Sequence, residues 1–89
     1  MAKYEVFIKP SAVKELEGVG TKKDRQRIVA RIRQLTENPR PPGFHRLSGA
    51  DKYRIRCGNY RIVYSINDDK LQVQVVKIGH RREIYRQLS

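Results

Sequence analysis

Two short alternating runs, Tyr53-Arg54-Ile55-Arg56-Cys57 and Tyr60-Arg61-Ile62-Val63-Tyr64, meet across Gly58-Asn59, and no other pattern constrains this chain as tightly. A two-residue connection with glycine first favours a type II′ turn, whose first central position needs a positive φ. Such a turn sets the register: Cys57 faces Tyr60, Arg56 faces Arg61, Ile55 faces Ile62 and Tyr53 faces Tyr64. Side chains alternate along a strand, so Tyr53, Ile55, Cys57, Tyr60, Ile62 and Tyr64 share one face, suited to packing. Lys52, Arg54, Arg56, Arg61 and Val63 share the other. Like charges directly across a strand pair cost about 0.2–1 kcal/mol. Arg56 opposite Arg61 therefore works against folding, and an anion that arrives later is the natural counterpart. The alternative is that these arginines splay into water or pair with acids such as Glu83. Few acids are to hand, and Asp51 and Asp68-Asp69 fall in turns.

The remaining elements fit around this hairpin. Tyr4 to Ile8 alternates, with Tyr4, Val6 and Ile8 on one side, as a strand does. Pro10 stands where a helix can begin, since its missing N–H is not needed there. Ala12, Val13 and Leu16 recur at helical spacing until Gly18 and Gly20. Thr21 is an N-cap candidate, with Asp24 resembling the far half of a capping box. Ile28, Ile32 and Leu35, widened by Val29, form the apolar stripe of a second helix that Asn38-Pro39 ends. Arg27, Arg31 and Gln34 lie on its opposite face. Arg40-Pro41-Pro42-Gly43 is a stiff loop. Phe44 to Leu47 reads as a short edge strand, and Ser48-Gly49-Ala50-Asp51 and Asn67-Asp68-Asp69-Lys70 as turns, the latter leading into a strand over Leu71 to Ile78. The expectation is an α+β fold: an N-terminal strand, two helices, then an antiparallel sheet of three to four strands with the helices on one face. At 89 residues a single domain, residues 1–89, is expected.

Charge narrows the partner. Twenty Lys and Arg against nine Asp and Glu leave the chain at +11, and the arginine bias favours phosphate, which the guanidinium grips at two points. Solvated faces normally mix both signs. Nucleic acid is thus the expected partner, and the absence of any long apolar run speaks against a membrane one. A lone cysteine, Cys57, excludes a disulfide framework and a thiolate metal cluster, which fits the reducing cytoplasm. After the last strand, Gly79-His80-Arg81-Arg82-Glu83-Ile84-Tyr85-Arg86 brings an imidazole, guanidiniums and an aromatic hydroxyl. These are the parts for metal-free RNA chemistry: an acid–base group, phosphate clamps and a stacking platform.

Taken together, Arg46-Leu47-Ser48-Gly49, the hairpin from Tyr53 to Tyr64, and Val76-Lys77-Ile78-Gly79-His80-Arg81-Arg82-Glu83-Ile84-Tyr85 resemble the RelE branch of the RelE/ParE toxin superfamily. The likeness spans essentially the whole chain. It implies the toxin of a type II toxin–antitoxin system: a ribosome-dependent mRNA endoribonuclease. In such an enzyme the 2′-hydroxyl attacks the adjoining phosphate in the ribosomal A site, without metal or other cofactor. It further implies an acidic RelB-type antitoxin as partner, contact with 16S rRNA and mRNA, and promoter DNA bound only by the toxin–antitoxin complex. Residue by residue, Arg54 and Arg56 match the family's two basic hairpin positions, Arg61 its phosphate-stabilising arginine, Arg81 its C-terminal arginine and Tyr85 its stacking tyrosine. Arg56, Arg61, Arg81, Tyr85 and His80 are the expected catalytic set. Arg46, Lys52, Arg54, Arg27 and Arg31 are the expected RNA contacts. Some members carry lysine at the positions of Arg54 and Arg56. Arginine does not give up its proton at neutral pH, so the proton acceptor stays open here. His80 is the nearest candidate, with a backbone hydrogen bond as its other use; His45 is expected to touch the RNA backbone or lie at neutral surface. On the same scaffold, a ParE-like toxin inhibiting DNA gyrase, without a nuclease site, is the rival reading.

Overall fold

Each turn and cap in this chain has a local cause, and together they order the elements. The computed structural model describes residues 3–47 and 51–80. They run β1 (Glu5–Ile8), α1 (Pro10–Glu17), α2 (Lys22–Gln34), β2 (His45–Arg46), β3 (Tyr53–Cys57), β4 (Tyr60–Asn67) and β5 (Gln72–His80). Pro10 occupies the first turn of α1, and the Thr21 hydroxyl caps α2 by accepting the Asp24 N–H at 3.1 Å. Asp24 in the first turn and Arg31 and Arg33 in the last suit the helix dipole. α2 stops at Gln34, short of Asn38-Pro39, because Leu35, Thr36 and Glu37 donate backward to Ile32, Arg33 and Gln34 in tightening turns.

The strands form one five-stranded sheet in the order β1-β5-β4-β3-β2. β2 to β5 are the expected antiparallel run. β1 adds a fifth strand to it, lying parallel to β5 with Glu5 beside Gln72 and Ile8 beside Val75. In the β3–β4 hairpin Gly58 has φ 59°, and among the described residues Leu71 is the only non-glycine residue with positive φ. Asn59 therefore has negative φ, as a type II′ turn requires. The pairing is the expected one, from Cys57↔Tyr60 to Tyr53↔Tyr64. Leu71, expected to begin the last strand, instead sits in the left-handed region at φ 53° and closes the turn before it. At its other end β5 runs beyond Ile78, because Gly79 pairs with Arg61 and His80 with Tyr60.

A bulge sits between these strands. Val63 pairs with Lys77 and Tyr64 with Val75, so Val76 is the extra residue. It switches the inward-facing parity of β5 from Val73 and Val75 to Ile78. All three pack with Ala12, Val19, Ile28, Ile32, Leu35, Ile55, Ile62 and Tyr64 in the core between helices and sheet. Val13, expected on the buried stripe of α1, is exposed.

The helices also close the sheet's free edges. β1 ends at Ile8, and past that point Glu15 of α1 accepts the Ile78 N–H at 3.1 Å and the Lys77 ammonium at 2.6 Å. β2 is two residues long, and beyond it Arg31 of α2 reaches the Arg56 carbonyl at 3.5 Å. Unpaired edge groups invite foreign strands, and both side chains occupy them.

The loop after α2 is latched to the sheet. The buried Tyr64 hydroxyl donates to the Pro39 carbonyl at 2.7 Å, and burial pushes this phenol up to about 12. Phe44, Tyr53 and Tyr64 stack in a row with centroids 5.9 Å apart. Arg40 lies over the Tyr53 ring at 5.8 Å and forks onto Asp68 at 2.8 and 3.1 Å. The Tyr4 hydroxyl donates to the same carboxylate at 2.7 Å. Hydrogen bonds from Arg40 first, then Tyr4, hold the Asp68 carboxyl down at about 2.

Two measurements follow from the latch. Tyr64→Phe removes a buried bond of about 1 kcal/mol, and thermal unfolding should move down by about 4–8 °C. An unchanged midpoint would show that the latch contributes nothing. For Asp68 the folded value lies below the ordinary carboxylate value near 3.9, so its contribution is complete above that pH and is lost as pH falls toward about 2. In acid titrations between pH 4 and 2, Asp68→Asn should therefore lose less stability than the wild type.

Candidate anion site

The face of the sheet opposite the core side chains carries the charge. Alternation puts Arg54 and Arg56 of β3 on this face, and Arg61 of β4 directly beside Arg56. On its other flank Arg61 pairs with Gly79, which has no side chain to compete for space. Residues directly opposite in an antiparallel pair project to the same side. His45, which pairs with Arg54, therefore joins the arginines, whereas Arg46 pairs with Tyr53 and projects the other way.

These side chains line a cavity of about 420 Å³, walled by Arg31, Pro42, Gly43, His45, Arg54, Arg56 and Arg61. Arg31 comes from α2 across the open edge of β3. The loop supplies a type II turn, with Phe44 N–H bonded to the Pro41 carbonyl at 3.1 Å and Gly43 at φ 87°, where an L-residue would be strained. No carboxylate stands among the described residues that line it. Arg61 is the extreme member: it is 2% exposed, and its guanidinium donates a long 3.4 Å bond to the Tyr60 carbonyl. Among the described residues no acid lies within ion-pair distance of it. Burying a cation this way is costly unless a counter-charge arrives. The cavity thus collects guanidinium donors from α2, β3 and β4, a donor set of the kind that grips phosphate oxygens.

The expected site residues divide. Arg31, Arg54, Arg56 and Arg61 converge on the cavity. Arg27 is exposed on α2 and stands apart from it. Arg46 is exposed and meets Asp51 at 3.4 Å, a surface pair worth little. Lys52 precedes β3, where its carbonyl accepts the Leu47 N–H at 2.9 Å. His80 pairs with Tyr60, and their rings meet edge-on at 5.7 Å. Tyr60 packs against the core, so His80 lies on the helix-bearing face, across the sheet from Arg56 and Arg61. Arg81 and Tyr85 lie outside the described residues. Cys57 shares the core face, where burial raises its thiol. The sequence reading missed Pro42 and Gly43 as walls of the site; the Pro-Pro-Gly string signalled a turn, but not what it would face.

Comparison with known proteins defines the class. The profile of the ParE toxin of type II toxin–antitoxin systems matches residues 6–85. A RelE-like toxin protein of Escherichia coli is 28% identical over 81 residues, covering 89% of this chain and 84% of that one. The archaeal RelE–RelB complex of Pyrococcus horikoshii superposes with TM-score 0.79 at 30% identity, covering 91% of this chain and 97% of that one. A double arginine-to-alanine mutant of E. coli RelE in the free state gives 0.77 at 27%, covering 97% and 94%. The chain belongs to the RelE/ParE family of type II toxin–antitoxin toxins. Within it, the chain is of the RelE type.

If Arg61 is kept buried for a ligand's sake, the empty protein should be better off without it. Arg61→Met should leave the thermal midpoint at low salt equal or higher. It should also shrink the stabilisation that added pyrophosphate confers on the wild type by mass action. A lower midpoint with an undiminished pyrophosphate effect would refute the anion-site assignment.

Proposed function

We propose that this toxin is a ribosome-dependent mRNA endoribonuclease that cuts mRNA in the ribosomal A site. The supporting observation is the cavity lined by a buried Arg61 with Arg56, Arg54 and Arg31, with no carboxylate among its described walls. In this reading Arg61 and Arg56 grip the scissile phosphate. As the 2′-oxygen attacks, charge gathers on the phosphoryl oxygens, and preorganised donors stabilise it more than they stabilise the ground state. Arg81 assists by neutralising the leaving oxygen, and Tyr85 stacks on a base. The products are a 2′,3′-cyclic phosphate and a 5′-hydroxyl. Arg54, Arg31, Arg27, Arg46 and Lys52 spread positive charge over the surface toward 16S rRNA. No helix of the described residues is long and apolar enough to cross a membrane, and action in the cytoplasm beside the ribosome suits the reading.

An acidic RelB-type antitoxin is the partner in this account, and the pair binds promoter DNA only as a complex. Two of the similar solved structures are complexes with RelB. A groove of about 620 Å³ between α1 and α2, lined by Leu16, Val29 and Ala30 and rimmed by Lys22, Arg25 and Arg33 with one acid, Glu17, suits an apolar segment bearing acids.

The ParE profile match favours one other reading, inhibition of DNA gyrase through protein contacts. A single experiment separates the two. Purified toxin is added to ribosomes paused on a defined mRNA, and new 5′ ends are mapped by primer extension. Cleavage within the A-site codon, lost in Arg61→Ala and Arg81→Ala, is expected. Intact mRNA at toxin doses that arrest growth, with DNA damage in treated cells, would transfer the assignment to gyrase.

A further inference from the structure

The arginine cavity has clamps for a phosphate but needs somewhere for a proton to go. Arginine holds its proton throughout the physiological range, so Arg31, Arg54, Arg56 and Arg61 neutralise charge and exchange nothing. The other walls, Pro42 and Gly43, carry no titratable group. His80 stands across the sheet against Tyr60. Tyr64 faces the core and spends its hydroxyl on Pro39, and Cys57 also lies on the core side. One side chain among the described walls belongs to the class that takes up and returns protons near neutrality. It is His45, exposed on β2 and paired with Arg54 on the cavity side of the sheet.

We infer that His45 is a catalytic residue, the general base that accepts the 2′-hydroxyl proton in the cavity. This rests on the ribonuclease reading and adds to it the identity of the proton acceptor. The neutral imidazole nitrogen takes the 2′-hydroxyl proton as the 2′-oxygen forms its bond to phosphorus. The bond from phosphorus to the 5′-oxygen breaks, and that oxygen leaves with its electron pair and takes a proton from solvent. The imidazolium then returns its proton to solvent, so protons and charge balance over the cycle. Among the described residues lining the cavity, the charged groups that share it with His45 are cationic: Arg54 and Arg56 from β3, Arg61 from β4 and Arg31 from α2. The neighbouring Arg46 is engaged with Asp51. The same cations hold the phosphate within reach of the imidazole.

His45 is also well placed mechanically. β2 contributes two paired residues, and the turn at Pro41 to Phe44 leads directly into it. The loop behind that turn is held by the Tyr64–Pro39 bond and the Arg40–Asp68 fork. The imidazole is thus carried by a short strand whose approach is fixed at several points, as a group that must meet one substrate atom requires.

The test is single-turnover cleavage of mRNA on paused ribosomes by the full-length toxin, measured from pH 5.5 to 8.5. The wild-type rate should rise with pH and then level off, as a single general base requires. His45→Gln should lose about 10²–10⁴-fold in rate, with little change in the toxin concentration giving half-maximal rate, and its pH profile should flatten. Free imidazole should partly restore His45→Ala in proportion to its concentration, which a structural role would not produce. His80→Gln should keep the wild-type profile. A His45→Gln protein that cleaves within about threefold of wild type, with the same pH profile, would overturn this assignment while leaving the ribonuclease reading intact. Failure of the wild type to cleave removes both.

Discussion

Like charges face each other across the β3–β4 hairpin, and most of what is distinctive about this protein depends on how that is tolerated. The Gly58 turn leaves no freedom in register: once it forms, Arg56 stands beside Arg61. A one-residue slip of β3 would relieve the repulsion but would turn Ile55 out of the core. The apolar face therefore wins, and the charged face is carried along. Gly79 on β5 gives the Arg61 stem room, and the neighbouring walls keep its guanidinium from water. The fold buries a cation with no acid within ion-pair distance among the described residues.

Binding surface and stability are divided between the two faces of one thin sheet. The helix-bearing face holds nearly all of the buried apolar side chains, with Val63 the exception on the other side. Side chains from the helices then close the edges, Glu15 at β5 and Arg31 at β3. Arg31 serves twice, since the same guanidinium reaches the cavity wall. The aromatic row of Phe44, Tyr53 and Tyr64 ties the loop after α2 to the strands. Strands and one braced loop hold the guanidinium donors of the cavity in fixed positions.

The family holds toxins with different targets on one scaffold, and both branches meet in this chain: a ParE profile over residues 6–85 and RelE structures at TM-scores near 0.8. Fold similarity cannot choose between chemistries that a scaffold supports equally. What bears on the choice is the cavity, where among the described residues no acid lies within ion-pair distance of the buried Arg61.

Much of the architecture is legible along the chain, because its causes are local. The Gly58-Asn59 turn needs one positive φ, Thr21 caps with its own hydroxyl, Pro10 opens a helix, and the stripe of Ile28, Ile32 and Leu35 announces a buried face. From these the hairpin register and the convergence of Arg54, Arg56 and Arg61 follow without coordinates. Other features depend on residues distant in sequence. The parallel seating of β1 on β5 is decided by the crossover through both helices. The bulge at Val76 appears only when β4 and β5 compete to bury Tyr64, Val75 and Ile78 together. The placement of the two histidines is tertiary in the same way. His80 lies close in sequence to the arginines of the C-terminal segment, yet its pairing with Tyr60 sends it to the core face. His45 falls in a short edge strand whose faces the sequence leaves unassigned, and pairing with Arg54 brings it to the charged one. The sequence by itself determined the turns, the helices and the charged hairpin, because each is settled within a few residues. Only the tertiary structure decided which face each proton-bearing group joins, because that depends on the strand it pairs with.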